Sequence, residues 1–258
     1  MEFLCEQMPA SIDLCRTLEE KLQLERELAE RERLALVGQT AASISHNLKN
    51  PLGSIKTILQ VQLENPEMPE SMRGETKMVL EEISRLSAKL NQLLQFSRPS
   101  VRTAEGAGLC DARVVLEEVA AVLRLQAEQR GISLSIALSA ANTRVALAAE
   151  SLNDIASNLL VNALEAVTAG SVLAVGGEVR GEMLALFFED NGAGIPESLR
   201  EKILQPFFTT KSQGTGLGLA IVARRVAECD GKLSWQSPVR DGRGTRFEVS
   251  LPLAREAS

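Results

Sequence analysis

Residues 171–196 read SVLAVGGEVRGEMLALFFEDNGAGIP, and this stretch decides the architecture of the C-terminal half. SVLAVGGEV (171–179) and MLALFFED (183–190) are apolar, branched and aromatic, and only RGE separates them, so they read as hairpin-like neighbouring strands. The polar, glycine-bearing NGAGIP that follows cannot continue a strand. Working outward, residues 150–168 and 111–130 carry helical patterns, and GISLSIAL (131–138) alternates Ile132, Leu134, Ile136 and Leu138 as a strand does. Downstream, 217–229 reads as a helix, and KLSWQS (232–237) and TRFEVSLP (245–252) as strands. Adjacent strands without a helix between them break the strict alternation of a doubly wound fold. The order instead gives an α/β sandwich, one sheet covered by helices on one face.

The N-terminal half is helical. In residues 12–45, Leu14, Leu18, Leu22 and Leu28 recur at roughly helical spacing among charges that can pair at i,i+4. The stretch reads as a long coiled-coil helix, with 1–35 as a coiled-coil signalling helix; a solvated helix with one apolar stripe is the alternative. The seam continues through Val37, Ala41, Ile44, Leu48, Ile55 and Leu59, with a local kink expected at Pro51. NPEMPE (65–70) is a turn. A second helix over 71–98 places Val79, Ile83, Leu86, Leu90 and Leu93 at spacings of 4, 3, 4 and 3, and Pro99 stops it. One hairpin cannot bury a seam on both its helices, so two hairpins in a four-helix bundle, a homodimer, are expected. Residues 101–110 are small and polar and read as a linker.

Composition excludes several classes. Of 258 residues, 45% are hydrophobic, enough for a packed core. Lys and Arg number 28 against 34 Asp and Glu, a net charge of −6, which argues against a nucleic-acid partner. Aromatics make up 3%, too few to form base-stacking platforms. No apolar stretch approaches the ~20 residues that span a bilayer, and the acidic N-terminus lacks the basic region of a signal peptide, so no direct membrane insertion and a cytoplasmic location are expected. Cys5, Cys15, Cys110 and Cys229 form no CxxC pair and read as reduced thiols.

The only histidine is His46. A lone histidine is commonly structural. At 100° per residue, however, it lies about 200° from the seam residue Ile44 and points to solvent, where packing gives it no role. An exposed imidazole is largely neutral at pH 7 and nucleophilic. Asn50 follows at i+4 on the same face. Three further segments carry potential chemistry, and each has a plain structural reading when taken singly. Asn158 and Asn162 share a helix face and offer amide oxygens suited to Mg²⁺, or are simply an exposed or capping pair. Asp190 ends a strand and is followed by Gly192 and Gly194, which let a flat ligand approach the backbone, or form a turn. Gly214, Gly216 and Gly218 precede a helix whose first N–H groups can bind phosphate, with Lys211 as a nearby cation.

In combination the segments resemble a known family. NLLVNALEA (158–166), DNGAGIP (190–196), PFFTTK (206–211), GTGLGL (214–219) and GRGTRFEVSLP (242–252) are similar, in this order, to the N, G1, F and G2 boxes and closing strand of sensor histidine kinases. These enzymes share an ATP-binding fold with DNA gyrase, Hsp90 and MutL. SISHNLKNPLGSIK (43–56) resembles their H box. The likeness spans roughly residues 35–253 and looks closest to sensor kinases of the nitrogen-regulation type.

The resemblance implies ATP and Mg²⁺ as cofactors. It implies that Asp190 hydrogen-bonds the adenine amino group, that Thr245 supports the adenine end, and that Asn162 ligates the metal. Asn158 would orient the reacting phosphate. Gly192, Gly194, Lys211, Gly214, Thr215, Gly216, Leu217 and Gly218 would shape the nucleotide pocket and its lid. His46 would accept the γ-phosphoryl group and pass it to an aspartate on a separate response regulator with a receiver domain. Residues 1–35 would signal from an upstream sensor, 36–100 form the dimerisation and phosphotransfer hairpin, and 111–254 the ATP-binding domain.

The chain departs from the family pattern at Asn47, where an acid usually follows the histidine and acts as general base. Such assistance is worth ~10²–10⁴-fold, and an amide cannot supply it. Asn50 matches the position associated with dephosphorylating the regulator. A response-regulator phosphatase, or an ATP-binding pseudokinase with weak autokinase activity, is therefore the alternative. A serine kinase of the anti-sigma type has no need of the H-box hairpin. The topology and repair ATPases carry a Glu, which activates water, at the position of Asn158.

Overall fold

The computed structural model describes residues 47–97, 108–140, 142–211, 214–240 and 242–254, together with Lys21 and Glu25. The chain divides into two compact units, Met1–Arg98 and Pro99–Ser258. The coiled-coil reading of 1–35 and most of the linker reading fall outside the described residues. Lys21 and Glu25 are helical and face each other at 3.9 Å, the i,i+4 pair that the charge pattern suggests.

The first unit is a helical hairpin. Helix α1 runs from 47 to 64, helical through Pro51, and α2 spans Glu70–Ser97. Arg73, in the first turn of α2, fixes the connection. Its guanidinium donates to the carbonyls of Leu63 at 2.8 Å, Asn65 at 2.6 Å and Met68 at 3.3 Å. Those groups sit at the C-terminal end of α1 and in the turn, where carbonyls lack intrahelical donors and attract a cation. Ile83 and Phe96 are buried within this unit, whereas Leu48, Ile55, Ile58, Val61, Val79 and Leu86 stay exposed.

The second unit is the sandwich. Its elements in order are β1 (Cys110–Asp111), α3 (Ala112–Gln129), β2 (Ser133–Leu138), β3 (Arg144–Val145), α4 (Ala149–Ala166), β4 (Val172–Arg180), β5 (Met183–Asp190), a short 3₁₀ turn at Glu197–Leu199, α5 (Gly218–Glu228), β6 (Lys232–Gln236) and β7 (Thr245–Pro252). The main sheet has the order β2-β4-β5-β7-β6, with β2 parallel to β4 and the other pairs antiparallel. Helices α3, α4 and α5 cover one face, as the element order implied. β7 alternates buried and half-buried residues along its whole length. Leu184, Leu186 and Phe188 of β5 meet Phe247, Val249 and Leu251 of β7 in the core. On the opposite face Phe187 covers Gly176 of β4, and the Arg246 guanidinium stacks 4.1 Å above the Phe187 ring.

Local chemistry sets the boundaries. Asp111 caps α3 by accepting from the Arg113 N–H at 2.9 Å, and it also accepts from the Thr143 hydroxyl. These hydrogen bonds, the Thr143 one foremost, hold its carboxyl below the ordinary range. At the other end Gly131 adopts φ +67°, and Ile132 N–H bonds Ala127 O, closing α3 with a left-handed C-cap. β2 therefore starts at Ser133 rather than at Gly131. The sequence reading placed Cys110 at the end of the linker. The residue is instead buried in β1 and pairs with Val145, and two-residue strands are too short to show an alternation. Among the described residues, no helix is long and apolar enough to cross a membrane.

Candidate functional site

The predicted residues of the second unit converge where the ends of α4 and β5 meet the start of α5. Asn158 is buried on α4, and its Nδ2 donates to Asp154 O at 2.7 Å. A carbonyl oxygen only accepts, so the nitrogen end is committed and Oδ1 is the atom presented. That oxygen faces Gly218, the first residue of α5. A Cβ there would stand 3.0 Å from Asn158 Oδ1 and 3.4 Å from Asn162 Nδ2. Glycine thus lets two amide side chains approach the beginning of a helix that no side chain caps. Backbone N–H groups at such an end, beside the Asn158 amide oxygen, form a place for phosphate oxygens and a hard cation. Among the described residues no group of three or more His, Cys, Asp or Glu could hold a metal alone. The donor set fits a Mg²⁺ ion shared with phosphates rather than one in an all-protein cage.

Asp190, at the end of β5, is buried. Burial pushes its carboxyl above the ordinary carboxylate range, against hydrogen bonds from the Gly192 and Thr245 backbone amides. The Gly192 N–H reaches Oδ1 at 2.8 Å. Gly192 itself packs on the last turn of α4, where a Cβ would meet Ala166 O at 2.6 Å. Close backbone approach is therefore what this glycine supplies, and it ties the Asp190 loop to the helix carrying Asn158 and Asn162. Thr245 is the cross-strand partner of Asp190 and is buried.

Gly216 has φ +68°, and a Cβ there would lie 2.4 Å from the carbonyl carbon of Phe207. Phe207 is itself left-handed, at φ +66°. Gly216 is therefore seated against the backbone of the PFF segment, and the Leu217 that follows it is buried. Thr215 Oγ1 accepts from Leu217 N–H at 3.3 Å. Gly214 leaves room for Thr209, whose Oγ1 would otherwise be 2.5 Å from a Cβ. Gly194, at φ +78°, turns the loop after Asp190. Lys211 Nζ pairs with Glu165 Oε2 on α4 at 2.6 Å, one helical turn beyond Asn162.

In the hairpin, Asn47 and Asn50 lie exposed on α1, and Asn50 O accepts from Ser54 Oγ at 3.2 Å. His46 lies outside the described residues. The sequence reading passed over two features of the second unit. One is Ser237, a buried hydroxyl between the loop after Asp190 and the start of β7. The other is the buried ion pair of Arg225 with Asp154, whose carbonyl holds Asn158. The Ser-Pro dipeptide that follows β6 was the available signal for the first. None marked the second, because its partners are 71 residues apart.

Comparison with known proteins agrees with this geometry. Residues 36–100 match the His Kinase A (phospho-acceptor) domain family, and residues 148–255 match the family of histidine kinase-, DNA gyrase B-, and HSP90-like ATPases. The chain is 32% identical over 235 residues to the signal transduction histidine-protein kinase AtoS of Escherichia coli K12, covering 90% of this chain and 37% of that protein. It is 30% identical over 239 residues to sporulation kinase A of Bacillus subtilis 168, covering 93% and 38% respectively. The chain thus spans well under half the length of either relative. Among solved structures, full-length ShkA in complex with AMPPNP superposes with a TM-score of 0.70 at 25% identity, over 85% of this chain and 47% of that one. The catalytic domain of histidine kinase ThkA gives a TM-score of 0.51 at 28% identity, over 56% of this chain and 93% of that domain. With a phosphoacceptor module followed by a histidine-kinase-type ATPase module, and with relatives matched across both, the chain belongs to the sensor histidine kinases of two-component systems.

Proposed function

We propose that the chain is the kinase core of a sensor histidine kinase. It binds ATP with Mg²⁺, phosphorylates itself on His46, and passes the phosphoryl group to an aspartate on the receiver domain of a separate response regulator. The observation that carries the reading is the meeting of Asn158 and Asn162 with Gly218 at the start of α5, beside the buried Asp190. In this reading Asp190 accepts from the adenine amino group, with Thr245 beside it. The first N–H groups of α5 and Lys211 hold phosphate oxygens, so Lys211 exchanges Glu165 for the nucleotide. Asn162, with the phosphates, would hold a Mg²⁺ ion, which would neutralise charge on the phosphoryl oxygens. An imidazole nitrogen of His46 attacks the γ-phosphorus, the bond to the ADP oxygen breaks, and the imidazole proton leaves to a base.

Asn47 cannot be that base. Solvent or another carboxylate takes the proton, and autophosphorylation is slower than with an acid at this position. Asn47→Asp is expected to accelerate labelling, and a variant no faster than wild type removes this role. The exposed row Leu48, Ile55, Ile58, Val61, Val79 and Leu86 supports a homodimer in which two hairpins form a four-helix bundle. An upstream sensor domain or protein would act through residues 1–35. The relatives matched are kinases, and the phosphatase and pseudokinase alternative is not carried forward.

The test is incubation with γ-labelled ATP and Mg²⁺ beside His46→Ala. The reading expects acid-labile label on the wild type and none on the variant. Acid-stable label, or label that survives the substitution, overturns it.

A further inference from the structure

Ser237 follows β6, is buried, and belongs to none of the sequence boxes. A serine hydroxyl has one proton and two lone pairs. Here the proton goes to Gly244 O at 3.0 Å, one lone pair accepts the Ile195 N–H at 2.7 Å, and Thr245 Oγ1 stands 3.4 Å away. One hydroxyl therefore joins two segments that meet nowhere in the sequence. Ile195 belongs to the loop carrying Gly192 and Gly194. Gly244 and Thr245 lead into β7 beside Asp190. Gly244 N–H also donates to Gly192 O at 2.8 Å, so the two segments are laced twice. The fit is close on both sides. A Cβ at Gly194 would be 3.0 Å from Ser237 Oγ, and a Cβ at Gly244 would be 2.5 Å from Asp190 O.

We propose that Ser237 is a positioning residue for the base-binding end of the nucleotide pocket. It fixes the Gly192–Ile195 loop against Thr245, and the amides of Gly192 and Thr245 in turn place the Asp190 carboxylate. The inference rests on the ATP-binding reading. Ser237 makes its hydrogen bonds at the base-binding end, to Ile195 and Gly244 beside Thr245, so its effect falls on nucleotide affinity and not on the phosphoryl-transfer step.

The experiment measures Mg-ADP binding calorimetrically with the full chain, and KM and kcat for ATP in autophosphorylation. Ser237→Ala leaves the Ile195 N–H and Gly244 C=O without their partner, and about tenfold weaker ADP binding is expected. KM for ATP rises by a similar factor and kcat stays within about twofold, the signature of lost uniform binding. In an Asp190→Asn background the same substitution costs less than about threefold, because the group it places is already altered. Ser237→Cys keeps a weak donor and acceptor and falls between wild type and Ala; it decides the matter if the alanine variant does not fold. ADP affinity within twofold of wild type in both variants overturns the inference. So does a fall in kcat at constant KM, or a full tenfold loss on top of Asp190→Asn. Wild-type protein that binds no ADP overturns the ATP-binding reading itself, and the inference with it.

Discussion

Removing the Arg225 guanidinium should destabilise the ATP-binding unit out of proportion to the atoms lost. Arg225 Nε and Nη2 reach Asp154 Oδ2 at 3.2 and 3.0 Å, and Nη1 reaches Glu228 Oε2 at 3.1 Å. The side chains of Arg225 and Asp154 are 10% and 6% exposed. Burial works to lower the Arg225 pKa, but Glu228 and Asp154 together hold it above its ordinary value. At a separation near 3 Å and an effective dielectric of ~20, the attraction within the pair is about 5–6 kcal/mol. Most of that offsets the cost of taking both ions out of water, so the intact pair adds little net stability. Breaking it is different. Arg225→Met keeps most of the side-chain volume but strands a buried carboxylate, at a cost of about 3–5 kcal/mol. Glu228 keeps a cation, because Arg224 Nε lies 3.1 Å from its Oε1. Against a total of ~5–15 kcal/mol for a domain, the loss is large.

The double variant Asp154→Leu with Arg225→Met strands nothing and should return to within about 1 kcal/mol of wild type. The single tryptophan makes the assay specific to this unit, since Trp235 lies in β6, 6.5 Å from the Phe247 ring. Urea unfolding followed by its fluorescence should show a midpoint lower by about 1–5 M for Arg225→Met, given slopes of ~1–3 kcal/mol/M. A single variant within 1 kcal/mol of wild type would refute the reasoning. A double variant as unstable as the single would place the cost in lost packing instead.

The buried Asp190 carboxyl has a folded pKa above its unfolded one, so the folded state binds its proton more tightly and the group costs stability once the pH exceeds that raised value. Asp190→Asn should therefore melt higher than wild type at pH 7, with the gap closing as the pH falls below the ordinary carboxylate range, while Mg-ADP affinity falls at least tenfold. Equal melting at pH 7 would contradict it. Gly216→Ala meets both a left-handed φ and the Phe207 backbone at 2.4 Å, so the loop must shift and nucleotide binding should be lost. Gly181→Ala, at φ +62° with nothing within 4 Å, bears only the conformational cost of about 1–2 kcal/mol and should bind Mg-ADP like wild type.

The amino-acid sequence by itself determined the elements and the boxes. MLALFFED and TRFEVSLP become β5 and β7 with the boundaries their patterns imply: TRFEVSLP because a strand with one buried face writes that burial into every second residue, MLALFFED because a short apolar run bounded by turn residues fits a strand covered on most of its length. Asn158 and Asn162 at i,i+4, the acid ending a strand, and the glycine-rich run before a helix were legible for the same reason: each is local, and helical or extended geometry fixes how near neighbours face. Tertiary structure alone decided what these pieces meet. β1 and β3 exist only because Cys110–Asp111 and Arg144–Val145 pair with each other; neither dipeptide has a pattern of its own. Gly218 is required by two amides on another helix, Gly216 by the Phe207 backbone, and Gly192 by the end of α4. Ser237 reads as the last residue of the strand KLSWQS, but the strand stops at Gln236 and the loop after Asp190 lies against the Ser237 hydroxyl; Arg225 is one residue within the helix read over 217–229 until α4 supplies Asp154. Each of these depends on contacts between residues far apart in the chain, which a local period cannot encode.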